Sequence, residues 1–442
     1  MRLLFVLPEY LPQEGGGLIT FYKGLLPQLV RQGHSVHVLV GSGVTAGVVD
    51  AAIDGVQVRF LPPERLERSL RRFEALLPTP EIQRHLAAAW ALWELADGGV
   101  GYDVVETTDW GLLFVPWVVA PNRPPLVVQL HGSVAQIAAH DPLRGQELSA
   151  ILAQLVEHVG LVGAEELQTY ATANARWWEE RLGRQVHVLL PGLESQEQPS
   201  FEGGGTAGLV VGRVQLWKGP DVLCEAVALL GDRCPPFAWV GRDTVDGATG
   251  GSFAARLTRR YPHVWGSRVR PLGAKGFADT AALLRQAALV VVPSRWDVFN
   301  FVVVEAMAAG VPVVVSTGAG ASQLVEDGRT GFTVPAGDAE ALARAIQRVT
   351  ALAPQERRAL VQAAYETVRQ HLDPAATARQ RVLRYQALAA GTIPRAAVPA
   401  ALRAALSPGQ PLADPLAFLF QQPLRGLLSH VGKRLWAKVR RR

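Results

Sequence analysis

The sequence predicts an α/β protein built from two doubly wound parallel sheets that face one another across a cleft, followed by a basic amphipathic tail. Three observations carry that prediction. A chain of 442 residues with 49% hydrophobic and 19% charged side chains is well buried and too long for one ordinary core. Short apolar runs alternate with helical patterns in both halves, as parallel βα units do. Between the halves lies ESQEQPSFEGGGTAG, Glu194–Gly208, polar and Gly-rich without periodicity, which reads as a linker.

The elements follow in order. RLLFVL (Arg2–Leu7) reads as a strand, PEYLPQEGGG as a loop, LITFYKGLLPQLVRQG as a helix containing Pro27, and HSVHVLV as the next strand. That is a βαβ unit, since parallel strands need a crossover of about a dozen residues. Further strands are expected at Val56–Phe60, Asp103–Glu106 and Leu126–Leu130, with a largely helical insertion over Pro62–Gly98. Beyond the linker, strands are expected at Leu209–Val211, Ala238–Val240, Val269–Leu272, Leu289–Val292, Val313–Val315 and Phe332–Val334. Pro354–His371 and Pro374–Leu388 read as helices, after which Pro/Ala-rich sequence runs to about Asp414. The expected units are 1–193, a linker over 194–208, 209–372, a helix over 373–390 returning to the first unit, and a tail over 391–442.

Composition excludes several classes. Two cysteines, Cys224 and Cys234, offer no framework for disulfides or zinc and read as buried thiols in a reducing cytosol. The apolar start LLFVLP is too short for a signal h-region, and no segment reaches a spanning length, so a cytoplasmic or peripheral protein is expected. The net charge of +5 belongs to the tail. No acid follows Asp414, whereas seven cations do, and without them residues 1–414 carry −2. A nucleic-acid-binding body would carry a basic stripe of its own, and this one shows none.

Two motifs carry chemistry. In GRVQLWKG, Gly212 follows a strand and lets the backbone turn. Arg213 then forks donors onto phosphate oxygens and Lys218 adds a point charge. A solvated turn is the plainer alternative, and the acidic motif downstream argues against it. That motif, PSRWDVFNFVVVEAMAAGVPVVVS, sets Asp297 eight positions before Glu305 across a loop running into a helix over Phe301–Ala309. Asn300 suits its N-cap. The exposed N–H groups around Phe299, Asn300, Phe301 and Val302 would face the cleft and receive phosphates. Glu305, a turn further in, would reach hydroxyls, because a carboxylate beside a phosphate is repelled. Cations and acids at strand ends together suit an anionic diphosphate joined to a polyhydroxylated body, as in a nucleotide sugar. The plainer reading leaves Asp297 capping a turn and Glu305 paired with a cation.

On these motifs the chain resembles glycosyltransferase family 4 over roughly Met1 to Leu388: retaining enzymes with the GT-B fold, two Rossmann-like domains, that use nucleotide sugars. The resemblance implies that Arg213 and Lys218 hold the donor diphosphate, that Asp297 lies near the donor sugar and that Glu305 binds ribose hydroxyls. It matches Gly15–Gly17, hence Gly16 and Gly17, to a glycine loop approaching donor or acceptor. It also matches His131 of LVVQLHGS to a histidine in the sugar pocket, there to bond the sugar or stabilise positive charge at the anomeric centre. Asp109, at another strand end in VVETTDWG, is a candidate for acceptor contacts, with a turn or cap role as its alternative. The chain departs from the family at Asp297, where Glu is usual, at Asn300, where Gly is usual, and at Gln323, where many members carry Glu.

No two aspartates stand two apart, so a metal-binding D-x-D is absent. Fixed cations and helix-terminal N–H groups are expected to stabilise the leaving diphosphate without metal or other cofactor. The implied reaction is hexosyl transfer from a nucleotide diphosphate sugar to a hydroxyl of a glycan, a lipid-linked or a small-molecule acceptor, in cell-envelope or other glycan synthesis. Retention through same-face attack is expected, because no carboxylate is placed as a covalent nucleophile. A nucleotide-sugar epimerase and a non-catalytic scaffold are the rivals from other classes. In the tail, Leu424, Leu427, Leu428, Val431, Leu435 and Val439 share one helical arc, with Lys433, Arg434, Arg440 and Arg441 mostly elsewhere. That pattern suits a helix lying on an anionic membrane surface, with packing on the body as its alternative.

Overall fold

The structure, a computed structural model, describes residues 1–13, 15–41, 49–141, 147–194, 198–199, 201, 205–246, 251–391 and 398–414, with 416, 428, 431 and 432 beyond them. The first half runs β1 (Arg2–Leu7), α1 (Gly17–Arg31), β2 (Ser35–Val40), β3 (Ala51–Ile53), β4 (Val56–Phe60), α2 (Pro63–Arg71), α3 (Pro80–Leu95), β5 (Val104–Thr108), α4 (Val115–Val119), β6 (Leu126–Gln129), α5 (Val134–His140), α6 (Leu148–Gly160), β7 (Glu166–Thr169), α7 (Thr172–Leu182) and β8 (His187–Val188). These strands form one sheet in the order β3-β4-β2-β1-β5-β6-β7-β8, parallel except for the β3–β4 pair.

The second half runs β9 (Gly208–Val211), α8 (Pro220–Leu230), β10 (Phe237–Val240), α9 (Phe253–Arg260), β11 (Val269–Gly273), α10 (Phe277–Arg285), β12 (Leu289–Val292), α11 (Phe301–Ala308), β13 (Val313–Ser316), β14 (Phe332–Val334), α12 (Ala339–Thr350) and α13 (Pro354–His371). Its parallel sheet is ordered β11-β10-β9-β12-β13-β14. The central strands β12 and β13, LVVV and VVVS, are buried throughout. Such β-branched runs mark strands covered by helices on both faces.

Both sheets reverse their strand order beside their first strand. The chain winds outward from β1 through β2, then resumes on the other side at β5; it winds from β9 through β10, then resumes at β12. Ligands of open parallel sheets bind at such switch points, beyond the carboxyl ends of the strands. The loops leaving β1, β9 and β12 carry Gly16–Gly17, Arg213–Lys218 and Asp297–Asn300. Topology alone therefore sets each of these sequence motifs at a switch point.

The chain then returns. Asp373 caps α14 (Pro374–Ala389), accepting from the Ala376 N–H at 2.7 Å, with Pro374 in the first turn. This helix packs on α1, where Gln32 donates to the Ala375 carbonyl at 3.1 Å. Residues 400–406, expected as irregular sequence, form α15 (Ala400–Leu406) against α4. Its Leu406 is buried and accepts from the Trp90 indole N–H at 2.9 Å, which gives this Ala-rich stretch a partner. Among the described residues no helix is long and apolar enough to cross a membrane. Residues 195–197, 200 and 202–204 of the expected linker, and Leu424, Leu427, Leu435 and Val439 of the tail's amphipathic arc, lie outside the described residues.

The strand β7 is a second difference from sequence expectation, which places none between Leu130 and the linker. ELQT buries Glu166 and Gln168 almost completely, a pattern that hydrophobic periodicity does not reveal. Both are satisfied by α14. Arg384 bonds both carboxylate oxygens of Glu166 at 2.7–3.1 Å, and Arg381 donates to Gln168.

Candidate active site

At the second switch point the cationic and acidic motifs are zipped together through their backbones. The Trp217 carbonyl accepts from the N–H groups of Arg295 and Trp296 at 2.8 and 3.2 Å. Gly219 has φ +69°, and a Cβ there would lie 2.0 Å from the Pro293 carbonyl oxygen, so only glycine permits the close approach. Lys218 consequently forms an ion pair with Asp297, each side chain about one-fifth exposed at 19% and 18%. The Asn300 amide donates to the same carboxylate oxygen of Asp297 at 3.0 Å. Arg213 stands exposed after β9.

Asn300 does not cap α11 with its side chain. It holds φ +73° and makes no cap bond, because its amide is drawn to Asp297. Phe299 and Phe301 are 2% and 7% exposed, and their rings pack against Tyr170 at centroid distances of 5.7 and 5.9 Å. Their side chains join the two halves, leaving backbone as their route to a ligand. Gly17 completes this contact, since a Cβ there would meet the Phe301 ring at 3.1 Å. Gly16 has open space around it. Gln323 bridges the halves as well, accepting from the Thr172 N–H at 3.1 Å and donating to the Tyr170 carbonyl at 2.9 Å. A carboxylate accepts but does not donate, so an amide suits this position better than Glu. His140 stacks on Trp296 at 4.8 Å.

Across the cleft, His131 leaves β6. Its Nδ1 lies 2.7 Å from the Tyr170 hydroxyl and its Nε2 3.4 Å from that of Tyr22. Burial, with the positive charge of Arg381, holds the imidazole down to about 3, hence neutral at physiological pH. Asp109 is 0% exposed, and its carboxylate accepts from the N–H groups of Trp110, His131 and Gly132 at 2.8–3.2 Å. Enclosed in this way it has no surface for an acceptor, so its expected acceptor contact is replaced by fixing of the His131 loop. Burial outweighs those donors and raises its carboxyl to about 6. Glu157, from α6, accepts from Val134 and Ala135 at 2.8 and 2.9 Å and is pushed by burial up to about 8.

Below α11 opens a cavity of about 420 Å³ between the halves, lined by Thr20, Lys23, Phe277, Arg285 and Glu305 among others. Burial raises the Glu305 carboxyl to about 7. Glu9, in the loop after β1, was not a sequence candidate. It is partly buried beside Gly15, its carboxyl raised by burial and opposed by Arg213 and Arg242 across the cleft. Tyr22 and Tyr170 were not candidates either. Tyr170 stands at the carboxyl end of β7, as His131 does at that of β6, and that placement is the signal that marks it. Among the described residues no group of three or more His, Cys, Asp or Glu is arranged to hold a metal ion.

Comparison with known proteins agrees with this geometry. Residues 206–351 match the family model described as glycosyl transferases group 1. D-inositol 3-phosphate glycosyltransferase of Streptomyces scabiei is 27% identical over 361 residues, spanning 75% of this chain and 78% of that protein. The protein of that name from Streptomyces avermitilis is 30% identical over 271 residues, 56% and 57% of the two chains. Among solved structures, sucrose-phosphate synthase from Thermosynechococcus elongatus has a TM-score of 0.67 at 21% identity, covering 88% of this chain and 100% of that one. Anabaena HepE in complex with UDP-glucose has a TM-score of 0.60 at 22% identity, covering 88% and 100%. Likeness at that identity establishes the fold. Two facing parallel-sheet halves with the motifs at their switch points therefore define a glycosyltransferase of the GT-B class. Within that class the matches support a glycosyltransferase of the family 4 type. The matches favour neither an epimerase nor a non-catalytic scaffold.

Proposed function

We propose that the protein moves a hexosyl unit from a nucleotide diphosphate sugar to an acceptor hydroxyl, with retention of anomeric configuration and without a metal ion. The observation that carries this reading is the convergence of Lys218, Asp297 and Asn300 at one switch point, beside Arg213 and above the cavity holding Glu305. The diphosphate takes Lys218, Arg213 and the first N–H groups of α11, a preorganised set of positive ends. Lys218 is released from Asp297 in that exchange, and Asp297 turns to the sugar hydroxyls. Glu305 accepts from the ribose and His131 from the other half lies on the anomeric side. The anomeric carbon–oxygen bond to the diphosphate breaks, the acceptor oxygen bonds the same face, and the departing phosphate oxygen takes the acceptor proton. Closure of the two halves excludes water that would otherwise hydrolyse the donor.

The relatives named for inositol phosphate and the neighbour holding UDP-glucose support a sugar donor of this kind. We place the acceptor mainly on the first half, and the protein in the cytoplasm, with its basic tail at the inner face of the membrane. The test is a thermal-shift panel of UDP, GDP and ADP with their hexose conjugates, followed by turnover assays with EDTA. A rise in melting temperature with one base, and turnover that EDTA leaves unchanged, is the expected result. No shift with any of them overturns the donor reading, and loss of turnover on chelation overturns metal independence.

A further inference from the structure

The imidazole of His131 is held by a chain of buried hydroxyls that begins far away in sequence. Glu106, in the middle of β5 and 1% exposed, accepts from the Tyr22 hydroxyl at 2.9 Å and from the Tyr385 hydroxyl at 2.6 Å. Tyr22 belongs to α1 and Tyr385 to α14. Arg381, also from α14 and 1% exposed, lies 3.8 Å from the Glu106 carboxylate, donates to Gln129 at 3.0 Å and covers the Phe21 ring at 4.7 Å. Three elements, β5, α1 and α14, thus hold one buried carboxylate, each of its oxygens accepting from a tyrosine hydroxyl, with a guanidinium beside it.

The direction of each hydrogen bond follows. A tyrosine hydroxyl has one proton. Tyr22 gives its proton to Glu106, so toward His131 its oxygen offers only a lone pair, which suits a ring proton on Nε2. Nδ1 of the neutral ring is then an acceptor, and Tyr170 donates to it at 2.7 Å. Nε2 lies 3.4 Å from both the Tyr22 and the Tyr170 hydroxyl, beyond the usual range for N–H donors, so that N–H is weakly committed.

We propose that Tyr170 is a positioning residue for His131: backed by the Glu106–Tyr22 bond, it holds the proton on Nε2, so that the imidazole meets the donor sugar as a hydrogen-bond donor and not as a base. The tautomer rests on the geometry of the protein alone. Its catalytic consequence rests on the reading of His131 given above. The arrangement also explains why α14 returns to the first half, since Arg381 and Tyr385 supply the far end of the chain of bonds.

Nitrogen-15 NMR of the full chain with labelled histidine at pH 7, the ring assigned with His131→Asn, reads the tautomer without any ligand. The expected wild-type result is an unprotonated Nδ1 and a protonated Nε2, with the other tautomer appearing in Tyr170→Phe. A proton on Nδ1 in the wild type overturns the proposal even if Tyr170→Phe does not fold. A folded Tyr170→Phe with an unchanged tautomer overturns it as well. The kinetic arm uses UDP-glucose, UDP-N-acetylglucosamine and GDP-mannose as donor probes. With a donor that turns over, Tyr170→Phe lowers kcat about tenfold, the loss of one buried hydrogen bond, and leaves KM for the donor within about twofold. In the His131→Asn background the same change lowers kcat no further. Independent, additive losses overturn the positioning role. If His131→Asn alone keeps full activity, the catalytic reading of His131 fails, and the NMR result still decides the tautomer.

Discussion

Asp297 is where the chemistry of this protein departs most from the family pattern, and its surroundings give the departure a physical form. Its carboxylate is one methylene shorter than the usual Glu, and Lys218 and Asn300 both bond it. A donor diphosphate competes with Asp297 for Lys218, so Asp297→Asn has two expected effects of opposite sign. Turnover falls on the order of a hundredfold, as for removal of one preorganised charge, while affinity for the free nucleoside diphosphate rises because the competing anion is gone. Steady-state kinetics and calorimetric titration of the variant check both. Glu305 yields a pH prediction. Its pKa is raised from the ordinary carboxylate range to about 7 by burial, so the empty folded state binds its proton more tightly than the unfolded chain does. The stability this lends is complete below the unfolded value and is lost as pH rises through about 7. Ribose hydroxyls bond the ionised form, so nucleotide affinity should weaken as pH falls from 8 to 6, and Glu305→Gln should flatten that slope in calorimetry.

Elements tell a different story from single residues. The loop leaving β6 was legible as a site because HGS follows an apolar strand, but what holds it was not. Asp109 and Glu157, from β5's carboxyl end and α6, take five backbone N–H groups, four of them around the start of α5. Replacing Asp109 with Ala removes the buried carboxylate that pairs three of those donors. A loss of about 3 kcal/mol in unfolding free energy is expected, read as a lower denaturant midpoint with an unchanged m-value. The strand β7 shows why part of the fold escapes sequence reading. Glu166 and Gln168 sit in a core strand only because Arg384 and Arg381 arrive more than two hundred residues later. Local pattern registers two polar residues, and the tertiary partner makes them burial-competent.

At the scale of the whole molecule, the two halves are joined by aromatic packing of Tyr170 with Phe299 and Phe301 and by the amide of Gln323. The cavity containing Glu305 lies between α1 of one half and α10 and α11 of the other, so its shape depends on how far they close. For the tail we propose a second surface. Its cations and apolar arc suit an anionic bilayer at roughly 1 kcal/mol per cation. Co-sedimentation with phosphatidylglycerol vesicles should therefore be lost in a truncation at Pro408 and weakened by salt. Equal sedimentation of both chains would leave the tail packed on the body.

The sequence by itself determined the two doubly wound halves, the placement of Arg213, Lys218 and Asp297 at strand ends with Glu305 on the helix that follows, and the family-level resemblance. Those features rest on contiguous motifs and on the short period of buried parallel strands, which a local reading captures. Only the tertiary structure decided that Lys218 pairs with Asp297, that Phe299 and Phe301 serve the contact between halves, and that Asp109 fixes a loop. It alone revealed Tyr22, Glu106, Tyr170 and Arg381 around His131. The physical reason is that a hydrogen bond or ion pair depends on distance in space, and α14 reaches His131 only after the chain has completed both sheets.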